Sequence, residues 1–249
     1  MTEFLFMIAA LLAGSVGSVA LAGLMLLLQP RRLEQVATHL MYLAGGTLLG
    51  ASMLGMIPKA SSQLGAQAAM IIVLGGILFF FVLEKIILWR SCHSKDCNRH
   101  DHAAVPIILI GDAFHNAIDG IIIAASFLTS PSLGVFATLS VVLHEIPQEL
   151  GDFGILIKGG LAKKKALMLN ILSGSTSIVT GILAWFMLDT MRSLIPYALA
   201  FSASSFIYIA LADLIPEMHR KTSLKDSIVQ FALILTGIML IFFILHSKH

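Results

Sequence analysis

Two short polar runs interrupt otherwise apolar stretches of this chain: His115-Asn116-Ala117-Ile118-Asp119-Gly120 and His144-Glu145-Ile146-Pro147-Gln148-Glu149-Leu150-Gly151-Asp152. Both combine imidazole, carboxylate and amide groups, the donors that divalent metals of the Zn²⁺, Fe²⁺ and Mn²⁺ type accept. On a helix, Asp112, His115, Asn116 and Asp119 fall at i, i+3, i+4 and i+7 and share one face. His144, Glu145, Gln148, Glu149 and Asp152 make a slightly broader stripe. The i, i+4 pairs His115/Asp119 and His144/Gln148 each aim two groups at one point. Pro147 removes an intrahelical hydrogen bond and opens the backbone beside the second set. Between residues 104 and 157 the carboxylates Asp112, Asp119, Glu145, Glu149 and Asp152 stand without a single Lys or Arg. No structural ion-pair network accounts for them.

The segments that must position these groups are themselves diagnostic. With 57% hydrophobic and 12% charged residues, the chain reads as an all-α integral membrane protein. Eight stretches are each long enough to cross the hydrocarbon, at roughly 4–28, 36–58, 66–89, 104–128, 133–157, 166–188, 194–218 and 227–246. The first lacks a basic n-region and outruns a normal h-region, so it reads as a retained helix and not a signal peptide. At 1.5 Å per residue, His115 sits roughly 16 Å from the inner start of its span and His144 roughly 16 Å from the outer start of its own. Both clusters therefore fall near the bilayer centre. An ionised carboxylate there costs about 2.5–3.5 kcal/mol even on insertion scales, and protons, water or a bound metal must offset it.

Basic residues fix the expected orientation. Arg31, Arg32, Arg90, Lys95, Arg99, Lys158, Lys163, Lys164, Lys165, Arg220, Lys221 and Lys225 fall in connections on one side, against Lys59, Arg192 and Lys248 on the other. The positive-inside rule then places both termini outside the cell membrane, extracellular or periplasmic. The basic residues are explained by topology, and nucleic acid is not an expected partner. Cys92 and Cys97 lie in the third-to-fourth connection, on the reducing side, where a structural disulfide is not expected. That connection, 91–103, also holds His93, His100 and His102; it is either a loose metal-capture loop or a solvated connector, and its spacing matches no closed zinc site. With short connections throughout, residues 1–249 read as one transmembrane transporter domain.

An internal echo relates Gly50-Ala51-Ser52-Met53-Leu54-Gly55-Met56-Ile57-Pro58-Lys59 to Ile209-Ala210-Leu211-Ala212-Asp213-Leu214-Ile215-Pro216-Glu217. Each ends a span with Ile-Pro and a charge, and the two spans run in opposite directions. Inverted repeats of this kind are typical of secondary transporters, whose sites lie at mid-membrane between the repeats.

These residues resemble a known family, the ZIP (Zrt/Irt-like) divalent metal transporters. His115-Asn116-x-x-Asp119-Gly120 is similar to its fourth-span motif, and His144-Glu145-Ile146-Pro147-Gln148-Glu149-x-Gly151-Asp152 to its fifth-span motif. The resemblance implies eight spans, outside termini and a binuclear centre: His115, Asp119, His144 and Gln148 facing one metal, and Asn116, Asp119 and Glu145 facing the second, with Asp119 bridging. It also implies uptake toward the cytoplasm by an elevator-like sliding of spans one, four, five and six past the others. The chain departs from the family at Gln148, where His or Glu is usual, and in the sixth span, which carries a further carboxylate in some members and here offers Asn170, Ser173, Ser175, Thr176 and Ser177.

The expected function is thus transport of a divalent transition metal, Zn²⁺ foremost, with Fe²⁺, Mn²⁺ and Cd²⁺ as further substrates. The metal is bound as cargo and no separate cofactor is expected; the partners are the dication, the lipid bilayer and, as an option, a homodimer mate. A proton-coupled carrier or channel for another cation is the alternative. A metalloprotease is disfavoured, because His144-Glu145 opens a His-Glu-x-x-His pattern whose second histidine is Gln148. Glu149 and Asp152 read as exit-route, proton-relay or helix-contact residues. Asp213 and Glu217 read as receivers of the departing ion or plain interfacial carboxylates, and Glu84 and Lys85 as snorkelling neighbours.

Overall fold

Prolines and glycines mark where the chain can turn. The computed structural model describes residues 2–91 and 100–246, and among the described residues there is helix and no strand. Eight rods follow one another: α1 (Thr2–Met25), α2 (Pro30–Leu64), α3 (Ala66–Ser91), α4 (His100–Thr129), α5 (Pro131–Lys158), α6 (Lys163–Thr190), α7 (Arg192–Met218) and α8 (Leu224–His246). Pro30 and Pro131 sit in the first turns of α2 and α5, where a missing N–H leaves no bond unmade. Ser130 caps α5 by accepting from the Leu133 amide at 3.2 Å. Gly65 (φ 84°) and Gly160 (φ 87°) make the positive-φ turns that end α2 and α5. Cys92, Cys97 and Lys248 lie outside the described residues.

Seven of these rods are long and apolar enough to cross a membrane. The exception is α5, which at 28 residues is long enough but carries His144, Glu145, Gln148, Glu149 and Asp152. Its position explains how it tolerates them. It packs against α1, α2, α4 and α6, and Leu133, Phe136, Val141, Ile146, Phe153 and Leu156 are buried along it. A helix surrounded by protein needs little lipid-facing apolar surface.

Three rods contain widened, π-helical turns: Ala13–Gly17 in α1, Ala51–Met56 in α2 and Ile209–Leu214 in α7. The last two run directly into Ile57-Pro58 and Ile215-Pro216. Proline cannot donate to the carbonyl four residues back and its ring crowds that carbonyl; an extra residue in the preceding turn relieves both. The two segments that echo each other in sequence thus share one backbone irregularity at the same place relative to their proline.

Small residues allow the closest helix contacts. A β-carbon at Gly46 of α2 would run into the Ile234 carbonyl oxygen of α8, and one at Gly237 would come 2.6 Å from the Leu43 carbonyl oxygen. At Gly120 of α4 it would meet the Ser177 carbonyl oxygen and the Thr180 hydroxyl of α6. Backbones this close leave no room for a side chain. Gly46→Val is expected to lower the melting temperature of the purified protein through a loss of about 1–3 kcal/mol or more, whereas Gly75→Ala, with nothing within 4 Å of the new methyl, leaves it unchanged.

Candidate metal centre

Four side chains from α4 and α5 converge where the two polar stripes face each other. His115 Nε2 and His144 Nε2 are 3.1 Å apart. His115 Nε2 lies 3.7 Å from Asp119 Oδ2 and 3.3 Å from Glu145 Oε1, and His144 Nε2 lies 3.4 Å and 3.6 Å from the same two oxygens. A tetrahedral ion with bonds of about 2.0–2.2 Å to nitrogen and oxygen requires ligand separations of about 3.3–3.6 Å. The five separations that involve an imidazole, 3.1–3.7 Å, are close to those edges, and all four atoms lie within 4.8 Å of one another.

The surroundings suit such an ion. Asp119, His144 and Glu145 are buried, and none of the four oxygens of Asp119 and Glu145 accepts a hydrogen bond of good geometry among the described residues. Buried carboxylates left bare in this way are costly unless a cation takes them up. His144 Nδ1 lies 2.8 Å from the Ser140 carbonyl oxygen; donating there leaves the Nε2 lone pair facing the cluster, the usual way a ligating imidazole is oriented. Phe206 of α7 closes the far side, its ring centre 6.1 Å from that of His144.

Of the six residues expected as ligands, these four come together. The amide nitrogens of the other two turn to Asp112: Asn116 Nδ2 lies 2.9 Å, and Gln148 Nε2 3.4 Å, from Asp112 Oδ1. Asp112 belongs to the same stripe as His115 and Asn116, but its partner on α6 could not be read from sequence, because a serine in a helix usually bonds its own backbone. Here Ser173 donates to Asp112 Oδ2. Asp112, Glu145 and Glu149 also bring carboxylate oxygens within 4.8 Å of one another, so Glu145 stands between the tetrahedral cluster and a second acidic group one turn along α5. All three are buried.

α6 carries none of the four converging ligands, yet it sets where α4 lies. Thr176 and Thr180 each donate across the interface, at 2.7 Å, to the carbonyl oxygens of Ala113 and Ala117. These carbonyls flank His115 and Asn116.

His115 is the least buried of the four. Its side chain keeps 19% of its exposure, against 1% for the other three, and it lines a cavity of about 170 Å³ between α3, α4 and α7, with Glu84, Phe114, Ser205, Tyr208 and Asp213. Glu84 is not a snorkelling residue here: it is half-buried and accepts a hydrogen bond from Tyr208. Its neighbour Lys85 is exposed, with Nζ 5.6 Å from the Phe81 ring centre.

A helical bundle with a buried His₂-carboxylate₂ cluster and several bilayer-length apolar helices defines a multi-pass membrane protein with a metal-type site. Comparison with known proteins gives the family. Residues 90–245 match the model of the family described as ZIP Zinc transporter, and the chain belongs to that family. Relatives include Zinc transporter zipt-7.2 of Caenorhabditis elegans, 34% identical over 140 residues (55% of this chain and 30% of the relative). Zinc transporter foi of Drosophila melanogaster is 37% identical over 133 residues, covering 53% and 18%. Zinc transporter SLC39A7 of Homo sapiens is 34% identical over 148 residues, covering 56% and 31%. The chain thus spans about a third or less of the length of these relatives.

Bound metal should stabilise the folded protein by mass action. Zn²⁺ at about a hundred times its dissociation constant is expected to add about 2.7 kcal/mol, seen as a rise in melting temperature that is absent in His144→Ala.

Proposed function

We propose that this protein carries divalent transition-metal ions, Zn²⁺ foremost and Fe²⁺, Mn²⁺ or Cd²⁺ as further substrates, across the cell membrane toward the cytoplasm. The observation that carries the proposal is the four-atom convergence of His115, Asp119, His144 and Glu145, with near-tetrahedral spacing and bare carboxylate oxygens. Membership of a family of zinc transporters supports it. Asn116 and Gln148 border this site through Asp112.

In this reading all eight rods span the bilayer as one transporter domain over 1–249, with both termini outside, as the distribution of basic residues supports. The matching π turns before Pro58 and Pro216 support an inverted-repeat relation between α2 and α7. The ion loses its water and binds at mid-membrane. It then leaves on the inner side through the cavity at His115, which the inner halves of α3 and α7 line with Glu84 and Asp213. Glu149, on the same face as Glu145 and one turn farther inward, offers a further oxygen on that side. Movement of α1, α4, α5 and α6 against the remaining helices would alternate access, and the Thr176 and Thr180 hydrogen bonds would keep α4 and α6 together.

Proteoliposomes holding the purified protein are expected to take up Zn²⁺ saturably, and His115→Ala and Asp119→Ala to abolish it; undiminished flux in both variants would refute the assigned site. Radioactive Fe²⁺, Mn²⁺ and Cd²⁺, with and without a pH gradient, separate a metal carrier from a proton-coupled carrier of another cation. Cavity orientation has its own check. In a Cys92→Ser, Cys97→Ser background, Tyr208→Cys should react with a membrane-impermeant thiol reagent added from the cytoplasmic side and not from outside.

A further inference from the structure

A buried acceptor oxygen without a donor costs about 1–3 kcal/mol, so nearby free N–H groups are drawn to it. Asp119 and Glu145 together present four such oxygens, and none accepts a hydrogen bond of good geometry among the described residues. Two primary amides stand on the same helical stripes, Asn116 next to His115 on α4 and Gln148 three residues after Glu145 on α5. Their hydrogens go elsewhere. Asn116 Nδ2 lies 2.9 Å from Asp112 Oδ1 and 3.2 Å from the Asp112 carbonyl oxygen, and Gln148 Nε2 lies 3.4 Å from the same Oδ1. Asp112 is buried and is itself held through Oδ2 by the Ser173 hydroxyl of α6.

We infer that Asp112 is a positioning residue: it holds the amide donors of Asn116 and Gln148 away from Asp119 and Glu145, and so keeps those carboxylates free to take up the dication. This deepens the transport reading and rests on it. An incoming ion that met amide-bonded carboxylates would have to break those hydrogen bonds before binding, and its affinity would fall by their strength. Such rearrangement lies close at hand. An Asp112 oxygen is within 4.8 Å of a Glu145 oxygen, so an amide bonded to Asp112 already lies in the neighbourhood of Glu145. Ser173 enters the same scheme from α6. By occupying Oδ2, it keeps Asp112 turned so that Oδ1 faces both amides.

Zn²⁺ uptake into proteoliposomes, read as separate KM and Vmax, tests this on wild type, Asp112→Ala, Asp112→Asn and Ser173→Ala, each checked for an unchanged melting temperature without metal. Asp112→Ala is expected to raise KM about 10- to 100-fold, the usual effect of removing an outer-shell partner, with Vmax within about twofold because binding and not translocation is affected. Asp112→Asn keeps one acceptor oxygen and falls between wild type and Asp112→Ala; Ser173→Ala shifts KM in the same direction by less. A purely structural role would instead lower folded protein and Vmax while leaving KM unmoved. Should Asp112→Ala fail to fold, the two milder variants decide, and unchanged KM in both overturns the inference. That result leaves the transport reading standing, whereas absence of saturable Zn²⁺ uptake by wild type removes the reading and the inference together.

Discussion

Two buried carboxylates facing two imidazoles inside an apolar bundle are the constraint on which the rest of this structure depends. Asp119 and Glu145 are buried, their oxygens accept no hydrogen bond of good geometry among the described residues, and no Lys or Arg occurs between residues 104 and 157 to neutralise them. Desolvating a carboxylate costs several kcal/mol, and in an ordinary fold the cost is met by a paired cation or by donors. Here the two nearest primary amides lie against Asp112 instead, which leaves the carboxylates open to a cation from outside the chain. Such a site favours a cation, because no amide hydrogen bond has to be broken before the oxygens can take one up.

Keeping such a site open requires that the helices bearing it cannot collapse or drift. The α4–α6 contact is fixed by Gly120 against the Ser177 carbonyl and by two threonine hydroxyls that donate to the carbonyls flanking the ligands. The single hydrogen of each hydroxyl also has a carbonyl within α6 in reach, that of Ser173 for Thr176 and that of Thr176 for Thr180, so it is shared between the two helices. α5 gains its stability from burial among α1, α2, α4 and α6, which lets it carry a composition too polar for a lipid-facing span. The same composition keeps α5, at 28 residues long enough to cross, out of the set of seven helices that are also apolar enough.

Much of this was legible in the sequence because helical periodicity is strict. The i, i+4 and i, i+7 spacings put Asp112, His115, Asn116 and Asp119 on one stripe, and the mixture of imidazole and carboxylate is the donor set of a divalent metal. What periodicity cannot supply is the partner across an interface. Ser173 is indistinguishable in sequence from the serines that merely bond their own helix, such as Ser15 to the Leu11 carbonyl, yet it holds Asp112. Glu84 beside Lys85 reads as a snorkelling pair, and only the approach of α7 shows its carboxylate facing Tyr208 and the cavity. The same limit explains the amides: spacing places Gln148 one turn from His144, but which neighbour its nitrogen chooses depends on where α4 lies.

The π turns connect the two ends of this reasoning. Each of the two that precede an Ile-Pro pair widens its helix by one residue, and each lies in a segment packed against the core: Ala51, Ser52 and Met56 in α2, Ile209 and Ala210 in α7, are buried. A widened turn aims its own residues differently from a regular helix, and in α7 those residues include Asp213, which lines the cavity at His115. In α2 the equivalent turn sits toward the opposite surface if the two helices run in opposite directions. One backbone device thus recurs before both Ile-Pro pairs, because a proline inside a long helix needs the preceding turn to widen wherever it falls, and in α7 that widening also sets a carboxylate on the cavity at His115.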